Sequence, residues 1–474
     1  MLFDSYQYFI FLILVVIFFY LTHPKFRWIV LLFSSCYFYI QFVPLYILFL
    51  FFLITLDYFS ARVIENSFIY KKLIFLLSII ISSSVLFIFK YYNFFIDNIY
   101  YLFDAIGISF LPKHLNWLLP LGLSFHTFQS IGYLIEVYTG RQKAEKHFGI
   151  YSLYIMFFPQ LVAGPIEKPQ QLLQQLKVKI QQARWANIEW TECFRLLLWG
   201  LLKKVVIADR LALFVNPLFR DSLQITSLEA WLAALLFACQ IYFDFSAYSQ
   251  MAQGSALLFG VRLSENFKQP YLSQSFSELW RNYHISLTQW FRDYVYISLG
   301  GNRQLLIKQM YFLIIVFLLS GLWHGASWCF VLWGLVNAVF MCLELLIKKN
   351  TFIKNIVFNR VFKFFYPFII FSIAMVLFRS VSVDQAFGIY KKMFYLNSGL
   401  VVNRDSHLLF LCIFLSGGVF LVEYIYKNRH ILNNQNLFFY KYSSQLKLFM
   451  VYFMFFASLF FRAKTNDIFI YFQF

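Results

Sequence analysis

Between Lys308 and Glu344 the chain reads KQMYFLIIVFLLSGLWHGASWCFVLWGLVNAVFMCLE, with no charged residue between its two ends. About 20 apolar residues suffice to cross a bilayer, so this stretch holds one crossing, a break and most of a second. Ser320-Gly321 and Gly325-Ala326-Ser327 are the expected break. Between them sit Trp323 and His324, and His324 is the one side chain of the run that titrates near neutral pH. An ionisable group at membrane depth is costly and faces a bundle interior or a wet cavity. A core histidine bonded to a carbonyl fits as well as a functional one. The small residues around His324, which let backbone or substrate approach closely, favour function.

The same pattern recurs along the whole chain. Of 474 residues, 61% are hydrophobic, 23% aromatic and 13% charged. Soluble domains carry about 25% charged residues, so the expected fold is all-α and polytopic, with roughly 10–13 membrane segments, some short, tilted or re-entrant. The net charge of +18 lies in connections between apolar runs. That suits cytoplasmic loops and anionic headgroups, and gives nucleic-acid binding no support. Cys36, Cys193, Cys239, Cys329, Cys342 and Cys412 have neither disulfide-framework nor zinc-site spacing, and no metal site is expected.

Taken in order, Gln7–Thr22 reads as a retained first span, with Lys25 and Arg27 placing the N-terminus outside. Trp28–Leu56 is divided at Pro44 into one complete and one incomplete crossing. Leu73–Phe89 is the next span, and Tyr91–Lys113 is expected along the interface. Leu118–Tyr138 is apolar but carries Ser124, His126, Thr127, Gln129 and Glu136, either an inward polar face or interhelical hydrogen bonds. Phe148–Val162 is a span ended by Pro159, Gly164, Pro165 and Pro169, after which Leu172, Leu173 and Leu176 form the apolar stripe of an interfacial helix.

The run from Leu196 is interrupted by Lys203-Lys204 and Asp209-Arg210, while Ala230–Phe243 leads into Asp244 and Phe245–Val261 continues with Ser and Gly. Arg262–Arg303 is too charged to cross lipid and too aromatic for a free loop. A packed, partly re-entrant segment carrying His284 satisfies both facts. Spans at Phe364–Phe378, Leu408–Val422 and Leu448–Phe461 follow. The basic stretch Lys348–Lys363 precedes them, and Leu377-Phe378-Arg379 is weakly echoed at Phe460-Phe461-Arg462. No linker divides the chain, so residues 1–474 are expected to form a single membrane-embedded domain. There is no phosphate-cradling Gly-rich loop, HExxH or GxSxG motif.

An ordered series of segments carries a resemblance: PLGLSFHTFQSIGYLIEVYTG from Pro120, FFPQLVAGPIEKP from Phe157, YFDFSAYSQMAQG from Tyr242, then ENFKQPYLSQSFSELW, HISLTQWFRDYVYISLGGNR, SGLWHGASWCFVLWG and the terminal FIYFQF. The series resembles the membrane-bound O-acyltransferases (MBOAT), in particular the bacterial branch of alginate O-acetylation membrane subunits. Residues 120–334 match best. The chain departs from that branch at Asn282 and Tyr283, where Arg-Trp is usual, at Ser298, where Pro is common, and at Asn337, where a further His is frequent.

The resemblance implies that His324 is catalytic, in a tunnel reached from both membrane faces, and that His284 is a second important residue near the cytoplasmic entrance. It implies transfer from a cytoplasmic donor, acetyl-CoA or another acyl thioester, with no bound cofactor. The acceptor would be an exported or cell-envelope polysaccharide, reached through an SGNH-hydrolase-like periplasmic or extracellular partner. The site would be that of a multi-pass protein of a bacterial cytoplasmic (inner) membrane. Histidine suits such chemistry, being a base of pKa ~6.5 before perturbation. Trp323, Ser327, Asp244 and Asn282 are supporting candidates, for which packing competes. Arg292 either pairs with Asp293 or meets a donor phosphate. D-alanyl transfer to teichoic acid is the alternative within the class. A transporter or flippase is the alternative outside it, although the internal repeats of many transporters are not seen.

Overall fold

The computed structural model describes residues 1–109, 111–117, 119–120, 122–161, 164–349, 360–395, 399, 401–427 and 443–463. Six described helices are long and apolar enough to cross a membrane: Tyr46–Asn66, Lys71–Ala105, Ser227–Leu257, Leu306–His324, Trp328–Lys348 and Ser406–Ile425. Five of them carry large exposed apolar side chains, as a lipid-facing surface requires, while Ser227–Leu257 is largely buried in the protein. The protein is therefore a helical, multi-pass membrane protein. Two compact units interleave along the sequence. Unit 1 comprises Met1–Trp190, Ala252–Ser264 and Gly325–Ser327; unit 2 comprises Thr191–Met251, Glu265–His324 and Trp328–Phe474.

Unit 1 begins with α1 (Tyr6–Leu21), α2 (Arg27–Ile40) and α3 (Tyr46–Asn66). Proline lacks an amide donor and disfavours helix in the residue before it, and the chain breaks around Pro44 as expected. Helix α4 (Lys71–Leu86) does not end near Phe89. It continues through a π-helical turn, Phe87–Tyr91, into α5 (Tyr92–Ala105), so the segment expected along the interface extends the span.

After α6 (Leu123–Tyr138), the expected span at Phe148–Val162 is instead α7 (Phe148–Met156), broken at Phe157 before the single turn α8 (Phe158–Leu161). Pro159 has no amide to extend the earlier helix, and Phe157 turns out with ψ 105°. The stripe segment is helical from α9 (Pro169–Gln174) to Gln182, with Leu172, Leu173, Leu176 and Ile180 buried. Arg27 donates to the carbonyls of Ile180 (3.1 Å) and Ala183 (2.6 Å), satisfying acceptors that a helix end leaves open.

In unit 2 the charges that were expected to interrupt the run from Leu196 do not. α10 (Trp190–Leu202), a π segment (Lys203–Ala208) and α11 (Asp209–Arg220) form one continuous helical path. Lys204 is buried but pairs with Asp209 (2.9 Å) and with Asp244 (3.0 Å), and Lys203 donates to Ser246 (2.6 Å). Paired buried charges are tolerated where isolated ones are not. Asp244 accordingly lies within one unbroken helix, α12 (Ser227–Leu257).

The polar-aromatic segment folds into α13 (Phe276–Asn282), α14 (Ile285–Phe291) and a π turn, Arg292–Tyr296. α15 (Leu306–His324) and α16 (Trp328–Lys349) then form an antiparallel pair. Ser320-Gly321 does not break α15. A Cβ on Gly321 would lie 2.2 Å from the Phe330 carbonyl oxygen, and one on Gly334 would lie 2.3 Å from that of Phe317. The glycines are there for backbone contact between helices. α17 (Arg360–Arg379), α18 (Val383–Tyr395), α19 (Ser406–Lys427) and α20 (Ser443–Phe460) complete the unit. Helix α18, which the sequence reading lacked, buries Ala386, Ile389 and Met393 and exposes Phe387, Phe394 and Tyr395. Most of Lys348–Lys363 and the terminal FIYFQF lie outside the described residues.

Candidate active site

Wholly within unit 2 lies a cavity of about 320 Å³ whose lining includes both His284 and His324. This is a volume suited to a small-molecule site, which is typically about 300–1,000 Å³. His324 is the last residue of α15 and is 7% exposed. Its ring meets Trp333 (5.0 Å between centroids), Phe378 (5.1 Å) and Trp323 (4.9 Å), all edge-on. Trp333 and Lys348, fifteen residues apart on α16, both line the cavity. At 1.5 Å per residue the helix carries the wall for about 22 Å. Of the lining residues, Arg281, Arg292, Asn302 and Lys348 are exposed. The cavity therefore has a mouth bearing three cations and an aromatic interior that holds His324.

His284 is 1% exposed, its ring packed edge-on to Phe245 (4.7 Å) and 6.0 Å from that of Trp323. Its backbone is left-handed, with φ 45° and ψ 55°. For a residue other than glycine such a conformation costs on the order of 1–3 kcal/mol and persists only where the surroundings over-determine it. Here an antiparallel bridge joins Phe267 to Tyr283, and hydrogen bonds run from Lys268 N–H to the Asn282 carbonyl (3.0 Å) and from Ile285 N–H to the Asn266 carbonyl (2.9 Å).

Three further donors sit on cavity-lining residues. The Trp280 and Trp333 indole N–H groups and the Tyr283 hydroxyl are buried and make no hydrogen bond among the described residues. Buried donors without a protein partner are uncommon in folded proteins. Glu344 shapes the wall near the mouth. It accepts from the Phe276 N–H (2.5 Å) and from the hydroxyls of Ser277 (2.6 Å) and Tyr366 (2.8 Å), and pairs with Lys348.

The structure thus brings His284, His324 and Arg292 to one cavity and sets Trp323 between the two histidine rings without lining it. Arg292 also pairs with Asp293 (2.9 Å). Asp244 belongs to the Lys204 network, Asn282 donates to Ser273 (3.2 Å), and Ser327 lies in the turn after α15; none of the three lines the cavity. Sequence reasoning missed Trp280, Trp333, Arg281 and the Glu344–Lys348 pair. The i,i+4 spacing of Glu344 and Lys348 was a visible signal.

A cavity holding two buried histidines behind a cationic mouth has the parts that group transfer requires. The chain belongs to the MBOAT, membrane-bound O-acyltransferase, family, which it matches over residues 146–383. It is similar to a peptidoglycan O-acetyltransferase of Helicobacter pylori, 33% identical over 409 residues, 80% of this chain and 76% of the relative. It is also similar to a probable alginate O-acetylase AlgI of Azotobacter vinelandii, 38% identical over 319 residues, 67% of this chain and 62% of the relative. A teichoic acid D-alanyltransferase of Bacillus subtilis is 28% identical over 263 residues, 52% of this chain and 65% of the relative. The match spans 60–62% of the length of the Azotobacter relative and of a Pseudomonas syringae counterpart.

Proposed function

We propose that this protein is an integral-membrane O-acyltransferase that O-acetylates an exported or cell-envelope polysaccharide. The observation that carries the proposal is the placement of His324 and His284 on one cavity with a cationic mouth. The acyl donor is a thioester such as acetyl-CoA, entering from the cytoplasm, with Arg281, Arg292 and Lys348 meeting its anionic groups.

His324 takes the proton of the acceptor hydroxyl as its oxygen attacks the thioester carbonyl. The tetrahedral oxyanion is met by hydrogen-bond donors of the cavity wall, for which the Trp280, Tyr283 and Trp333 groups are available. Collapse breaks the C–S bond. The departing thiolate takes the proton back from the His324 imidazolium, leaving an ester and a free thiol. His284 orients the donor. An SGNH-hydrolase-like partner outside a bacterial cytoplasmic membrane then transfers the acyl group from that ester to a polysaccharide hydroxyl, breaking the first ester bond and freeing its hydroxyl.

The test is ester-linked acetate on envelope and secreted glycans in a deletion strain carrying wild type, His324→Ala or His284→Ala, with membrane levels matched. Loss of acetate with His324→Ala alone at normal protein level supports the assignment. Unchanged acetate in the deletion strain overturns it, and D-alanine esters are then measured in the same material. Equal acyl transfer by wild type and His324→Ala favours a transporter.

A further inference from the structure

The ENFKQPYL segment plays no part in the proton transfers above, yet its second residue is among the most buried polar groups of unit 2. We infer that Asn266 is a positioning residue, one that holds His284 in its left-handed conformation and so aims the imidazole at the donor. The inference rests on the O-acyltransferase reading of the cavity.

Asn266 is 1% exposed and grips the chain just past His284 with both backbone and side chain. Its carbonyl accepts from the Ile285 N–H (2.9 Å), and its Oδ1 accepts from the Ser286 hydroxyl (2.7 Å) and N–H (3.3 Å). Its Nδ2 donates to the Ser249 hydroxyl on α12 (3.3 Å), which fixes the amide plane. The grip falls on the two residues after the strained one, where α14 begins. On the other side, the His284 carbonyl accepts from the Thr288 N–H (3.0 Å) as the first bond of that helix.

Without the Oδ1 contacts, residues 284–286 are free to relax towards an ordinary helix start. Relaxation would rotate the imidazole out of its slot between Phe245 and Trp323. Asn266 touches neither donor nor acceptor in this scheme. It acts through the backbone.

The arms of the grip separate by substitution. Asn266→Ala and Ser286→Ala remove the Oδ1 contact. Asn266→Asp keeps the Oδ1 acceptor, replaces the Nδ2 donor by an oxygen that can accept from the Ser249 hydroxyl and adds a buried carboxyl, and Ser249→Ala removes the original donor's partner. All four are assayed as full-length protein in membranes for acyl transfer, with purified samples melted in detergent.

A small displacement of a reacting group costs about 100-fold in rate, and kcat is expected to fall by about that factor in Asn266→Ala. Ser286→Ala should fall less, KM for the acceptor should hold, and Asn266→Asp and Ser249→Ala should stay near wild type. Wild-type kcat in Asn266→Ala at normal melting temperature overturns the inference while leaving the reading of the cavity intact. A loss in Asn266→Ala that Asn266→Asp does not rescue at wild-type melting temperature also overturns it, because the Oδ1 acceptor is then not what matters. An inactive wild type, by contrast, is the failure of the O-acyltransferase reading itself.

Discussion

Each unit of this protein buries a histidine, His324 against the rings of Trp323, Trp333 and Phe378 and His126 beside Gln129 and Gln160, and the two differ above all in the space next to them. His324 in unit 2 lines a cavity of about 320 Å³. His126 in unit 1 is 3% exposed, and with Gln129 and Gln160 it lines a space of about 10 Å³, room for about one water. Gln129 and Gln160 are already occupied: Gln160 donates to Gln129 (2.9 Å), and both donate to the Tyr154 carbonyl, at 3.1 and 2.7 Å respectively. Both imidazoles are buried. Space for a reactant is what separates them, and a sequence does not print space.

Substituting each histidine is the sharpest way to break the comparison. His324→Ala should lower acyl transfer by about 100- to 10,000-fold, the range for loss of a general base. His126→Leu should leave transfer per molecule unchanged and act only on protein level and melting temperature. Initial rates in membranes normalised to protein content check both. A large rate loss in His126→Leu at normal stability would show that unit 1 takes part in the chemistry.

The glycines offer the next contrast. Gly321→Ala drives a Cβ to 2.2 Å from backbone that cannot give way, whereas Gly417 and Gly418 on α19 have nothing within 4 Å of a built Cβ. Overpacking of this kind costs about 1–3 kcal/mol. Gly321→Ala should therefore melt early and reach the membrane in smaller amount, while Gly417→Ala should do neither. Equal melting temperatures for the two would mean that the α15–α16 contact is looser than the geometry shows.

Most spans were legible because apolar runs at membrane length admit few alternatives. His324 was legible because it is the one histidine in the charge-free stretch between Lys308 and Glu344, with small residues on either side. What escaped the reading depended on partners distant in sequence. Lys203-Lys204 reads as an interruption until Asp209 and Asp244 pair with Lys204, from the same helical path and from α12, and Ser246 accepts from Lys203. Ser320-Gly321 reads as a hinge, but small residues serve close packing as well as flexibility, and only the facing Phe330 carbonyl decides which. Trp280 and Trp333 read as ordinary core, because nothing in their local pattern says that their N–H groups find no partner. The π segments, where one extra residue enters a turn, leave no periodic mark.

Glu167 in unit 1 tests a buried charge away from any candidate chemistry. It is 3% exposed and accepts from the Ser264 N–H (2.6 Å) and hydroxyl (3.1 Å). Burial pushes its carboxyl up to about 7, although the two Ser264 bonds act the other way. An acid whose pKa is raised by folding stabilises the fold fully below its unfolded value, about 4.3, and loses that contribution as pH rises through 7. Wild type should therefore lose on the order of 1 kcal/mol relative to Glu167→Gln between pH 5 and pH 7.5. Parallel melting-temperature profiles for the two proteins would sink this.

The smallest effect compares how the two units use their cations. In unit 1, Arg27 is buried and spends its N–H groups on helix-end carbonyls, and Lys177 pairs with Glu145 at 2.5 Å. At the cavity mouth of unit 2, Arg281 and Arg292 are exposed. A charge placed to hold the fold should show in stability, and one placed to meet an anionic donor in KM. Arg281→Gln should raise KM for a thioester donor by about threefold, leave kcat alone, and lose its effect at high salt, as exposed charges do. Arg27→Gln should lower the melting temperature with KM unchanged. A donor KM insensitive to both Arg281→Gln and ionic strength would place the donor's anionic groups elsewhere on the protein, with the roles of His324 and His284 untouched.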